Sequence, residues 1–399
     1  MRSFATKPLP ALLLGLGMAL AVPQALAASY QIDTVMTNLV TPRGLAFAPD
    51  GALYVTEVGS GGGVNAPSVS GGTGPAYFGY TGAVSRLTGG VQSRVLTGLP
   101  SLANASGADA AGLQDIAFDG TGQAYGLFGL GTSPAARDGL GAFGASYLGT
   151  LSKIDLSGKG TVSVVADVAA HEASANPDGG AIDSNPFKMA RKADGSFVVS
   201  DAGGNSFVQV AGNGAVSTLG VLPPGANPLP FGPPFYQAVP TGVAIGVDGR
   251  SFIGQLTGFP FPPGVAKVYS QAAGGGAVDV AFDGFTTIID LDVDAAGNLY
   301  VLQLTSNGLT APNPGSGQLI KIDGQTGQRS VIADSGLLFP GGLAIQEGPH
   351  GPVFYVSTMT VAPQGGAVVR ISAVPEPGTW AMLLAGIGAL TVVARRRRG

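Results

Sequence analysis

Asp290, Asp292 and Asp294 stand at alternate positions in the run Asp290-Leu291-Asp292-Val293-Asp294. Carboxylates are the ligands that hard cations prefer, and on an extended strand alternate residues project to one face. The spacing loosely matches a calcium-binding loop, but Ala295 stands where such a loop needs glycine and no glutamate closes it. Metal ligation and a solvated carboxylate lining both remain open. Asp201-Ala202-Gly203-Gly204-Asn205 is a second acidic turn. Asp201 and Asn205 could contact a ligand or cation there, although both residue types also favour turns for conformational reasons. Nucleophilic chemistry has little to work with. The chain has no cysteine, which excludes thiolate nucleophiles, disulfides and cysteine-ligated metals. Its two histidines, His171 (beside Glu172) and His350, have no nucleophile near them in sequence and read as surface residues. Gly59 to Gly63 lacks the Lys-Ser/Thr pair of a phosphate loop. Leu256 to Pro263 is an apolar, proline-stiffened loop suited to covering a channel mouth or meeting a partner.

These residues sit on a repeat. Pro42 to Val55 reads as strand, Asp-Gly turn, strand, and the pattern returns at Leu113–Tyr125, Pro186–Val199, Pro240–Phe252, Ile289–Val301 and Pro340–Val356. A second hairpin follows the first five copies, at Ala83–Leu99, Thr150–Val168, Phe207–Leu222, Val265–Phe282 and Leu319–Ala333. Four strands per unit predict an all-β, six-bladed β-propeller. The sixth unit has a third strand, Ala367–Ile371, but no fourth. Ile32–Leu39 supplies it, because Val35-Met36-Thr37-Asn38-Leu39 echoes Val95-Leu96-Thr97-Gly98-Leu99. The propeller is therefore expected to be closed by an N-terminal strand, which leaves no open edge. Composition agrees: 66 glycines and 29 prolines in 399 residues suit short strands and tight turns, and the 45% hydrophobic content is enough to build a core.

Both ends read as targeting segments. Arg2 and Lys7, the apolar run Leu9 to Val22 and the small-x-small site Ala25-Leu26-Ala27 form a secretory signal, predicted to span 1–27. The propeller body is assigned to 28–372. At 373–399, Pro375-Glu376-Pro377 precedes an uncharged run, about 379–394, and then Arg395 to Arg398. The run reads as a single C-terminal transmembrane helix with its arginines cytoplasmic and Trp380 at the interface. Six of the twenty basic residues fall in these ends, leaving fourteen against twenty-four acidic ones. An acidic body argues against nucleic acid and anionic membrane surfaces as partners, so the membrane is met only through the C-terminal helix before processing.

Two resemblances follow from these motifs. The order Pro-Glu-Pro, apolar helix, arginine cluster resembles the PEP-CTERM sorting signal of Gram-negative bacteria. That implies processing near Pro375–Pro377 by an exosortase-type peptidase, transient residence in the inner membrane, and a cell-surface or extracellular-matrix destination. Asn176-Pro177-Asp178-Gly179-Gly180, Asp183-Ser184-Asn185-Pro186, Asp201-Ala202-Gly203-Gly204-Asn205, Val239-Pro240-Thr241 and the Leu256 to Pro263 loop resemble the ScyD/ScyE family of secreted NHL-like propellers. The likeness spans about Leu39 to Ile371 and implies the fold and export, without a reaction. Where that family's pattern leads one to expect His-Asp, this chain has Gln114-Asp115.

Long connections such as Gly59–Gly82, Gly129–Gly149, Ala169–Asn185 and Pro223–Pro240 should emerge on one face of the ring, where binding concentrates. Arg43, Glu57, Lys188 and Gln303 belong to that end, together with the candidate ligand-binding residues Asp115, Asn185, Asp201, Asn205, Gln255 and Asp290. Asp201 and Asp290 are the candidate metal ligands, with calcium the cation that oxygen donors would suit. No catalytic residue is assigned. The reading is an exported binding or scaffold module whose partner is an exopolysaccharide or another surface protein. The alternative is a metal-dependent lactonase-like or lyase-like enzyme with its site at the channel mouth. Intact-mass analysis of the exported protein should show a start near Ala28 and no Arg395–Arg398; a species keeping those arginines would contradict the processing.

Overall fold

The second strand of each repeat is apolar on both faces, as a strand must be when a sheet packs on either side of it. Leu53–Glu57 and Phe197–Asp201 are buried along their whole length. The outermost strands are more exposed, as in Val162–Asp167 and Arg329–Ala333. The computed structural model describes residues 29–141, 147–157, 160–349 and 351–374. The signal segment, Pro375, Glu376, Pro377, the apolar run after them and His350 lie outside these residues.

Antiparallel pairing builds six units. The first is Pro42–Phe47, Leu53–Glu57, Gly74–Thr88 and Val91–Ala103, with Ser68–Gly71 added alongside. The second is Ala111–Phe118, Ala124–Phe128, Thr150–Ile154 and Val162–Asp167, joined to the first through Ser101↔Gly112 and Leu102↔Ala111. The third runs Pro186–Arg191, Phe197–Asp201, Ser206–Val210, Val216–Val221. The fourth runs Pro240–Ile245, Ser251–Gln255, Ala266–Gln271, Val278–Phe285. The fifth runs Ile288–Val293, Leu299–Gln303, Gln318–Ile322, Arg329–Ala333. In the sixth, Gly342–Gly348, Gly351–Thr358 and Gly366–Ala373 are completed by Tyr30–Leu39 from the other end of the chain. Opening strands touch in chain order, and Gly342–Gly348 returns to touch Pro42–Phe47.

Local chemistry sets the hairpins. Asp50, Asp119, Asp194 and Asp248 each accept a main-chain N–H two residues on, at 2.9–3.0 Å. The nearby glycines Gly51, Gly122, Gly195 and Gly249 have φ of 79–86°, which a side chain would strain. Between sheets lie small apolar layers. Met36 and Leu39 pack with Leu45, Leu53, Val55, Ala344 and Val368, so the seam between the sixth and first units is a hydrophobic core. Phe47 meets Tyr355 edge-on across it at 5.2 Å. Glu57 adds a polar clasp, accepting from the main-chain N–H of Val40 at 2.8 Å, Ser85 Oγ at 2.7 Å and Arg94 Nε at 2.9 Å.

Two details go beyond what the sequence pattern shows. Ile32 and Val35 are only half-buried, because the register shifts between Thr34 and Met36 and turns Met36 inward with Leu39. The long connection after the second unit opens with a helix, Val168–Ala175, capped by Asp167 and ended by left-handed Asn176. Among the described residues no helix is long and apolar enough to cross a membrane. Leu39→Ala should cost about 2–5 kcal/mol, and Val35→Ala clearly less. Denaturant unfolding checks both, and an unchanged midpoint for Leu39→Ala would contradict the seam.

Candidate functional site

The residue just before Leu45, and its equivalent in every repeat, points to the axis where the six opening strands meet. In chain order these are Gly44, Asp115, Lys188, Gly242, Asp290 and Gly342. The glycines allow close approach. A Cβ on Gly44 would lie 2.1 Å from Asp115 Oδ1, one on Gly242 2.6 Å from the Leu291 nitrogen, and one on Gly342 2.1 Å from the Arg43 carbonyl oxygen. The charged residues fill the space that is left. Lys188 Nζ donates to Asp290 Oδ2 at 2.7 Å and lies 3.8 Å from Asp115 Oδ1. Asp290 Oδ2 also accepts the Leu343 N–H at 2.8 Å, and Asp115 Oδ2 accepts the Met189 N–H at 2.9 Å. Lys188, Asp115 and Asp290 are only 2%, 6% and 5% exposed. Burial pushes both carboxyl groups up, while the Lys188 ammonium and the main-chain donors pull them back.

One register position earlier stand Arg43, Gln114 and Phe187, from the first three units. They border a cavity of about 360 Å³, which Asp109, Asp183 and Asn185 complete from the long connections. The Arg43 guanidinium lies over the Phe187 ring, 5.7 Å from its centroid. Burial lowers its pKa to about 10, with Asp109 opposing. Arg43 Nε, Gln114 Oε1, Asp183 Oδ1 and Asn185 Oδ1 are buried atoms with no hydrogen-bond partner. Buried polar atoms left without partners are costly, so this wall is suited to a ligand offering both donors and acceptors. Beside the cavity residue Gln237, exposed Phe231, Phe235 and Phe259 form an aromatic rim on the same face. Phe259 lies 6.4 Å from both Phe231 and Phe261.

Of the residues named from sequence, Asn185 lines this cavity, and Asp115 and Asp290 sit at the axis. The oxygens expected to hold a cation are already engaged. Asp201 Oδ2 accepts Ser184 Oγ at 2.6 Å, and its Oδ1 accepts the N–H of Asn185 at 2.6 Å and those of Gly203 and Gly204 at 3.2 Å. It is a loop organiser. Asn205 donates to Asp178 at 2.9 Å and accepts the Val239 N–H at 3.1 Å, linking two connections. Gln255 is buried with Oε1 unpartnered, away from the cavity wall. The alternating aspartates do not converge: Asp294 instead binds Asn298 at 2.7 Å and the Tyr300 hydroxyl at 2.9 Å. Among the described residues no three Asp, Glu or His side chains are arranged to hold a metal ion. The sequence reading gave Arg43 and Lys188 no role beyond their end of the ring and passed over Asp109, Asp183 and Phe187. Aligning the repeats at the Gly44 position would have exposed the axial charges.

The sheets and their axial packing define an all-β protein of propeller-like architecture. Its C-terminal residues 373–398 match the PEP-CTERM protein-sorting motif, a mark of exported surface proteins of Gram-negative bacteria that an exosortase processes. No curated protein matches the sequence. Among solved structures the chain is similar to a gluconolactonase from Xanthomonas campestris, at 12% identity and TM-score 0.51, covering 86% of this chain and 90% of that one. It is similar to a luciferin-regenerating enzyme at 9% identity and TM-score 0.53, covering 87% and 96%. A Bacteroides thetaiotaomicron protein of unknown function aligns at 10% identity and TM-score 0.51, covering 87% and 76%. At such identities the likeness concerns the fold.

Replacing Lys188 by Met would leave two buried carboxylates facing each other. The expected loss is about 3–5 kcal/mol at pH 7. Because burial raises both carboxyl groups, protons taken up as the pH falls relieve the repulsion, so the loss should shrink at pH 5. Urea unfolding at the two pH values checks this; an equal loss at both would contradict it.

Proposed function

We infer that the chain is an exported six-bladed β-propeller, closed by Tyr30–Leu39, that works as a binding module at the cell surface or in the extracellular matrix. Its ligand is a polyhydroxylated molecule such as an exopolysaccharide segment, held in the cavity at the ring mouth. The observation that carries this reading is the set of unpartnered atoms on one wall: Arg43 Nε, Gln114 Oε1 and Asn185 Oδ1. Hydroxyl groups both donate and accept, so they suit such a mixed wall, and the exposed phenylalanines beside it offer apolar faces to a sugar ring.

The exit of the chain supports the same reading. The Val374 N–H donates to the Ser29 carbonyl at 2.8 Å, so the two ends of the described body lie side by side. They leave from the face carrying the Asp-Gly turns, whereas the cavity opens between the long connections at the other end of the strands. A chain tethered through its C-terminal segment would present the cavity away from the membrane.

The second reading, a metal-dependent lactonase-like hydrolase, draws on the fold shared with the gluconolactonase. The Lys188 ammonium, 2.7 Å from Asp290, would have to be displaced for a metal to bind that carboxylate. Titration calorimetry against neutral and acidic oligosaccharides tests the binding role. Arg43→Ala and Asn185→Ala should each weaken binding about tenfold or more, the scale of one charged or buried hydrogen bond, with unfolding midpoints close to wild type. Binding indifferent to both substitutions, or turnover of a lactone without saccharide binding, would overturn it.

A further inference from the structure

The connection between the second and third units holds a group of oxygen atoms of which Asp183 alone also borders the cavity. Glu172 lies on the helix Val168–Ala175, is 2% exposed, and its Oε1 has no hydrogen-bond partner. Asn176, one helical turn on, has a buried and unpartnered Oδ1, and so does Asp183. The Glu172 carboxylate and the Asp183 carbonyl oxygen approach the same point: a Cβ on Gly204 would lie 2.5 Å from Glu172 Oε2 and 3.5 Å from the Asp183 oxygen. Gly204 therefore has to lack a side chain to leave this space to the carboxylate.

The surrounding charge has one sign. Asp178, Asp183 and Asp201 all act on Glu172. Asp201 is committed to Ser184, Asn185 and the Gly203–Gly204 amides, and Asp178 to the Gly180 N–H at 2.7 Å and Asn205 Nδ2 at 2.9 Å. Those two are held by protein donors and contribute field, not free oxygens. An unpaired buried carboxylate in a negative field is unfavourable until a proton or a cation joins it.

We propose that Glu172, Asn176 and Asp183 form a calcium site that pins the helix Val168–Ala175 to the Asp183 segment beside Gly204. No three carboxylates converge there, so the ion takes two carboxylates, the Asn176 amide oxygen, main-chain oxygen and water, a donor set that calcium accepts and softer metals do not. The site is distinct from the cavity, although Asp183 borders both. Calcium would thus fix one cavity wall without touching the ligand.

The test uses the exported protein stripped with EDTA and titrated with calcium chloride alone, from about 0.01 to 10 mM to cover the range of extracellular sites. Native mass spectrometry and thermal unfolding read the result. The wild type should retain one calcium and gain several degrees in midpoint. Glu172→Gln should lose at least about tenfold in apparent affinity while melting in EDTA no lower than the wild type, since it removes an unpaired charge. Asp248→Asn, a surface carboxylate at the opposite face, should bind like the wild type. No calcium retained by the wild type, or unchanged affinity in Glu172→Gln, overturns the proposal. Should Glu172→Gln fail to fold, Asn176→Gly decides, because glycine keeps the left-handed backbone while removing the side-chain amide, its oxygen and its Nδ2 donor to the Gly180 carbonyl together. Weakened binding then supports the site and unchanged binding overturns it.

Discussion

The ammonium of Lys188 sits between Asp115 and Asp290 where six opening strands converge, and the rest of the molecule is arranged around that contact. Through it the second, third and fifth units share one ion cluster. Asp290 also holds the Leu343 N–H of the sixth unit, while Gly44 of the first and Gly242 of the fourth press against the Asp115 and Asp290 backbones. Glycine at three of the six equivalent positions is the steric condition for charge at the other three. A side chain at Gly44, Gly242 or Gly342 would meet main-chain or carboxylate atoms at under 3 Å. Such a cluster is costly to desolvate and contributes specificity more than stability, since it favours one alignment of the strands.

The cavity depends on this axis. Arg43, Gln114 and Phe187 each precede an axial residue by one position, so the strand alignment that seats Gly44, Asp115 and Lys188 also sets the spacing of the cavity wall. The other wall comes from connections, and these are fixed by hydrogen bonds between them. Asp201 gathers the Ser184–Asn185 corner, and Asn205 joins Asp178 to Val239. The acidic turn Asp201–Asn205, which reads from sequence as a ligand site, thus acts as an internal support that leaves Asn185 free to face the cavity.

Much of the architecture was legible in the sequence because the repeat carries its own turn chemistry. The Asp-Gly hairpins and the apolar second strands appear at the positions read from residue types alone, and Tyr30–Leu39 does pair with Gly366–Ala373. The buried side chains of that strand are not legible in the sequence, because an irregularity between Thr34 and Met36 exchanges inward and outward positions and leaves no mark in an alternating pattern. Asp201 could not be read as a loop organiser, because its partner Ser184 lies 17 residues away and its other donors are main-chain groups that any sequence supplies. Glu172 was passed over for a similar reason. Its burial comes from a short helix folding onto a distant turn, whereas its neighbours in sequence are those of an ordinary surface segment.

The coupling between Lys188 and Asp290 is the most direct measure of the account. A double-mutant cycle of Lys188→Met, Asp290→Asn and their combination, followed by equilibrium unfolding at pH 7, isolates it. If the axial ion cluster organises the converging strands, the double variant should be more stable than the sum of the single losses predicts, by about 2 kcal/mol or more. Strictly additive losses would mean that the two side chains act independently, and that packing alone, without this contact, aligns the six strands.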